Sequence, residues 1–86
     1  MMKAQAGTME SNDCLITVNA SDHREIIIES IVYKQFGKQI KEVITKTLDE
    51  LNIDHIYVHC QDKGALDYTI RARVITAIKR LGEKHA

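Results

Sequence analysis

His55 and His59 stand four positions apart, with Tyr57 between them, in a run of β-branched and aromatic residues. On a strand that spacing puts both imidazoles on one face, where they could share a metal ion. Two ligands do not close a coordination sphere, and no carboxylate or cysteine at ligand spacing completes the set. A solvated sheet face, or one covered by a partner, is the stronger reading. Cys14 and Cys60 are 46 positions apart with no Cys-x-x-Cys pair, so neither a disulfide framework nor a redox motif is indicated. Cys60 falls in phase with Ile56 and Val58, which favours burial as a small hydrophobe over service as a nucleophile. Arg71 and Arg73 face different directions on a helix, and Asp67 sits at the i−4 position that pairs with Arg71. Arg73 has no such explanation and could meet a partner or a phosphate. Ser11 has no neighbouring histidine to activate it. In its polar, glycine-containing surroundings it is either an ordinary tail residue or an acceptor for modification by another enzyme. Phosphate-cradling patterns are missing: there is no Gly-x-Gly-x-x-Gly and no Walker-type loop. Lys63-Gly64 ahead of a helix is too common a pair to count.

The elements that must position these groups follow from periodicity. The chain has 86 residues, 44% hydrophobic and 28% charged, enough for one core and one domain and too short for two. Twelve basic and twelve acidic residues give zero net charge. The balance holds by halves, 5 basic and 6 acidic in residues 1–43 and 7 and 6 in residues 44–86. A large duplex nucleic-acid footprint is therefore disfavoured. The longest purely apolar run, Ile26 to Ile28, cannot span a membrane, and residues 1–7 contain no apolar signal region. A reduced, cytoplasmic protein is the default expectation.

Residues 1–12 read as an arm or a short, loosely held edge strand. Asp13–Asn19 and Arg24–Ile31 read as strands, and the short turn between them suggests an antiparallel hairpin. A helix follows, from Val32 or Lys34 to Leu51. Phe36, Ile40, Val43, Ile44, Thr47, Leu48 and Leu51 form its apolar stripe, and Asn52 is its C-cap. A third strand lies within Ile53–Cys60. After Asp62, a candidate N-cap, a second helix is predicted over Ala65–Leu81 with Leu66, Ile70, Val74, Ala77, Ile78 and Leu81 inward. Gly82 would end it, and residues 83–86 would be a frayed tail. The predicted fold is thus α+β in the order β-β-α-β-α, a two-layer sandwich with a small mixed sheet and both helices on one face.

Four blocks together resemble the acyl carrier protein of citrate lyase, its gamma subunit. They are Ala6-Gly7-Thr8-Met9-Glu10-Ser11-Asn12-Asp13, then Glu29 to Gly37 (Glu-Ser-Ile-Val-Tyr-Lys-Gln-Phe-Gly), then Asp62-Lys63-Gly64-Ala65-Leu66-Asp67, then Arg71-Ala72-Arg73. The resemblance runs from about residue 4 to residue 81. Met9 and Asn12 replace the family's Leu and its Gly or Ser, both mild changes. The resemblance implies that Ser11 carries 2′-(5″-phosphoribosyl)-3′-dephospho-coenzyme A through a phosphodiester. It also implies an acetyl thioester that exchanges with citrate at the alpha subunit, and a citryl thioester that the beta subunit cleaves with a divalent metal. A holo-acyl-carrier-protein synthase would install the group. The carrier performs neither step, so the missing catalytic constellation is expected. The delta subunit of malonate decarboxylase uses the same group on a similar arm. The blocks Asp-Lys-Gly-Ala-Leu-Asp and Lys-Gln-Phe-Gly favour citrate lyase over it. A small unmodified α+β interaction module is the remaining alternative, disfavoured by the lack of a basic patch and of stacking aromatics. Tyr57, His59, Arg73 and Ile75, which falls off the second helix's stripe, are candidate docking residues.

Overall fold

The computed structural model describes residues 2–84. Its elements are β1 (Lys3–Gly7), β2 (Cys14–Ala20), β3 (Glu25–Ser30), α1 (Tyr33–Glu50), β4 (Ile56–Asp62) and α2 (Asp67–Lys84). They form one four-stranded mixed sheet, in the order β1-β2-β4-β3, and a layer of two helices. The α+β, two-layer class predicted above is the class observed, with one more strand at its start. Lys3–Gly7 pairs antiparallel with β2, from Lys3 opposite Asn19 to Gly7 opposite Leu15. Ala4 and Ala6 point into the core on the strand's two-residue period.

The expected hairpin between Asp13–Asn19 and Arg24–Ile31 is not formed. β4 lies between β2 and β3, antiparallel to the first and parallel to the second. Ser21–Arg24 instead carries the chain across the start of β4, where the Ile56 N–H donates to the His23 carbonyl at 3.1 Å. That crossing covers two strand spacings, about 10 Å, within reach of a short extended segment. It gives β4, whose alternate residues are buried from Ile56 through Asp62, hydrogen-bonding partners on both sides. The parallel pair joined through α1 is the predicted crossover unit.

Inward residues of the sheet (Ile16, Val18, Val58 and Cys60) meet Ile40, Ile44 and Leu48 of α1 and Ile70, Val74 and Ala77 of α2. α1 ends within a residue of the expected place: Leu51 is its C-cap, and Asn52, expected there, takes the left-handed position that follows. Asn52 takes φ 57, its N–H bonds the Asp49 carbonyl at 3.0 Å, and the Ile53 N–H reaches the Leu48 carbonyl at 3.0 Å. This is a Schellman closure. α2 begins later than predicted, at Asp67: the Ala65 N–H is held by the Asp62 carboxylate, and the Leu66 carbonyl accepts the first helical N–H groups, from Thr69 and Ile70. Leu66 is therefore outside the helix and exposed. Phe36 and Leu51, also assigned to the core stripe, are exposed as well. Gly82 does not stop α2. Its φ is not positive and the helix runs on to Lys84, so only residues 85–86 of the expected tail fall outside the described residues.

Candidate functional site

β1 and β2 are joined by residues 8–13, the stretch that contains Ser11. Gly7 opens it at φ +102, a conformation closed to other residues here because a Cβ would overlap the Cys14 carbonyl oxygen. The Thr8 N–H returns to the Cys14 carbonyl at 3.2 Å and closes the ladder. Glu10 to Asp13 then makes a tight turn, its Asp13 N–H bonding the Glu10 carbonyl at 3.2 Å. Asn12, third in that turn, sits at φ 67, a position asparagine tolerates better than most residues. Ser11 is second, exposed at the tip, and its hydroxyl has no hydrogen-bond partner among the described residues.

The tip is held from below. Asp13 Oδ1 and Oδ2 accept from Arg73 Nε at 3.1 Å and Nη2 at 2.8 Å. The same carboxylate accepts the Thr8 hydroxyl at 2.8 Å and the Cys14 N–H at 2.7 Å. The Arg73 fork, with these further donors, holds the Asp13 carboxyl down to about pKa 2 although partial burial opposes ionisation. Beside it, the Asn12 N–H donates to the Lys63 carbonyl at 2.8 Å and the Lys63 N–H to the Asp13 carbonyl at 2.9 Å. The loop after β4 thus clamps the turn. That loop is organised by Asp62, almost fully buried, which accepts the Ser30 hydroxyl at 2.8 Å and the Ala65 N–H at 2.9 Å. Asp62 shapes this turn rather than capping a helix at Ala65.

The other sequence-selected groups lie elsewhere. His55 precedes β4 and is exposed, so it does not share a strand face with His59. His59, on the helix-free face of the sheet, donates to Glu29. Among the described residues no group of three or more metal-binding side chains occurs. The predicted Asp67–Arg71 pair is replaced by contacts between the helices: Asp67 accepts from Gln39 at 3.0 and 3.1 Å, and Arg71 donates to Glu50 at 2.7 Å. Arg73 is taken by Asp13. Ile75 is half-buried and is not the exposed side chain expected. Tyr57 is half-buried on the helix-free sheet face. Cys14 and Cys60 are fully buried free thiols, and the Cys14 sulfhydryl together with burial pushes Cys60 far above the ordinary thiol range. Neither is placed to attack a substrate.

Sequence reasoning noted Asp13 inside the arm motif without giving it a task, and left Arg73 unexplained. Sixty residues separate the two, and only folding joins them.

The chain matches an acyl carrier family, described as the malonate decarboxylase delta subunit, over residues 1–81. It is 56% identical over 78 residues to the citrate lyase acyl carrier protein of Lactiplantibacillus plantarum, covering 90% of this chain and 81% of that one. The citrate lyase acyl carrier protein of Halothermothrix orenii is 47% identical over 78 residues, covering 90% and 83%. That of Treponema denticola is 44% identical over 82 residues, covering 95% and 94%. Matched to these relatives over nearly its whole length, the chain, with its braced serine turn, belongs to the family of citrate lyase acyl carrier proteins, which are carriers and not catalysts.

Proposed function

We propose that this chain carries acetyl and citryl thioesters during citrate cleavage to acetate and oxaloacetate, on a phosphoribosyl-dephospho-coenzyme A group esterified to Ser11. The observation that carries the reading is the Ser11 hydroxyl, exposed at the tip of a turn braced by Asp13 and Arg73. The surrounding residues suit a phosphodiester. The hydroxyl is not consumed by an internal hydrogen bond, and the ammonium of Lys63, from the loop that clamps the turn, has no ion-pair partner among the described residues. A bound group of this kind supplies a thiol terminus on a long tether. The chain's own residues present the attachment oxygen and hold its backbone still, so that tethering raises the local concentration of the thioester at each partner's site.

The partners in this reading are the alpha and beta subunits of citrate lyase and the holo-acyl-carrier-protein synthase, with the complex in the cytoplasm. Residues 1–86 act as one carrier domain. Protein made together with its maturation enzymes should gain the mass of the nucleotide adduct, and Ser11→Ala should remain at the bare polypeptide mass. An adduct on the alanine variant would defeat the assignment. Carriage for malonate decarboxylase is the second reading, favoured by the description of the matching family. Reconstitution separates the two, since citrate must be cleaved when the modified chain is combined with citrate lyase alpha and beta subunits.

A further inference from the structure

Two concavities that share a lining residue lie near the segment of residues 8–13. The first, about 260 Å³, is lined by Met9 from the turn, Ile31, and Lys63 from the clamping loop. The second, about 510 Å³, lies between the start of α1 and the entry to α2 and is lined by Phe36, Ile40, Leu66 and Tyr68. Asp62 lines both, and Met9, two residues before Ser11, lines the first. Gly64 lines the second, and an added Cβ there would meet only Asn12 Oδ1, of the residue next to Ser11, at 3.6 Å.

The first concavity is mostly polar, with Glu29, Ser30, Gln61, Asp62 and Lys63 in its lining, but its Ile31 is 70% exposed, and in the second Phe36 is 46%, Leu66 59% and Tyr68 72% exposed. Phe36 and Leu66 belong to the helical stripes by sequence period, yet the fold leaves them uncovered at the end of the molecule where Ser11 stands. The groove's volume is of the order that takes a small organic ligand, and its polar groups are few. A tether fixed at Ser11 would deliver its distal part here at high effective concentration without a second binding partner.

Resting on the attachment of that group at Ser11, we propose that the groove between α1 and α2 is the resting site of the pantetheine end of the arm, which folds back over Met9 and Asp62 to lie against Phe36 and Leu66. The carrier thus holds its thiol partly shielded and releases it on delivery. The charged end stays at the turn beside Lys63, and the amide-linked segment with its terminal thiol lies against the apolar side chains of the groove.

The test starts from holo-protein whose adduct has been verified by intact mass; absence of any adduct would strike the Ser11 reading and not this one. Backbone amide NMR shifts are compared between the unmodified and holo forms, and the arm thiol is timed against Ellman's reagent. The expected result is shift changes at Phe36, Leu66 and Tyr68 as well as at residues 9–13. The thiol should react about fivefold slower than free dephospho-coenzyme A, since only the undocked fraction is accessible. Leu66→Ser, at an exposed position, should restore the free rate without lowering the unfolding temperature. Shifts confined to residues 9–13 with a free-solution thiol rate would overturn the proposal. So would protection of the groove that arises only when the alpha or beta subunit is added, which would make it a protein-docking surface instead.

Discussion

Asp13 accepts hydrogen bonds from a guanidinium, a hydroxyl and a backbone amide within one small volume, and each donor comes from a different part of the turn or from α2. Arg73 is 38% exposed and Asp13 14%, so solvent screens the pair and its net worth is about 1 kcal/mol. Arg73→Ala should lose roughly that amount at neutral pH and let the Asp13 carboxyl rise from about 2 toward its ordinary value near 3.8, observable by carbon NMR titration. Because the folded value is depressed, the stabilisation is fully present above the ordinary carboxylate value and drains away as pH falls through about 2. A wild-type advantage that failed to shrink across that acid range would contradict the pairing. The Ser11→Ala change, by contrast, removes an exposed hydroxyl with no internal partner and should leave stability within about 0.5 kcal/mol while abolishing modification.

The elements place their glycines differently, and the substitutions should separate accordingly. Gly7 ends β1 at positive φ against the Cys14 carbonyl, so Gly7→Ala should cost 2 kcal/mol or more, about the sum of left-handed strain and a forced backbone shift. It should also slow modification, since the turn beyond it would move. Gly82 lies inside α2 with nothing within 4 Å of a built Cβ, so Gly82→Ala should stabilise by up to about 1 kcal/mol. Thermal unfolding of the two variants is the measurement, and shifts of the same sign would undo this account. Helix periodicity found both helices and most of their buried faces. It misplaced Phe36 and Leu51, which continue the stripe by period but are exposed at the two ends of α1, and Leu66, which precedes α2.

Across the whole molecule, the core is one layer between the sheet and the two helices, and β2 and β4 form its middle. Ile16 is fully buried on β2 opposite Cys60. Ile16→Ala should cost about 2–5 kcal/mol by leaving a cavity that neighbouring strands cannot collapse to fill. Amide exchange should be slowest in β2 and β4 and faster in β1, which has a neighbour on one side only. A β1 as protected as β4 would argue against its edge position. The opposite sheet face carries His59, Tyr57 and Thr17 half-buried and without a covering helix. That is the solvated or partner-covered face expected for the His55 and His59 segment, although only His59 lies on it.

Residue order alone determined the α+β class, the two amphipathic helices, the Asn52 cap and the segment around Ser11, because each depends on periodicity or turn chemistry within a few neighbours. It also supplied the family likeness, since a motif is by definition local. Only tertiary structure decided that β4 enters between β2 and β3, that Lys3–Gly7 joins the sheet, and that Arg73 reaches Asp13. Strand pairing depends on which backbone edges find partners across distant stretches of chain, and an ion pair sixty residues apart carries no local signature. Period and propensity describe one element at a time, whereas neighbours in space are chosen by all of them together.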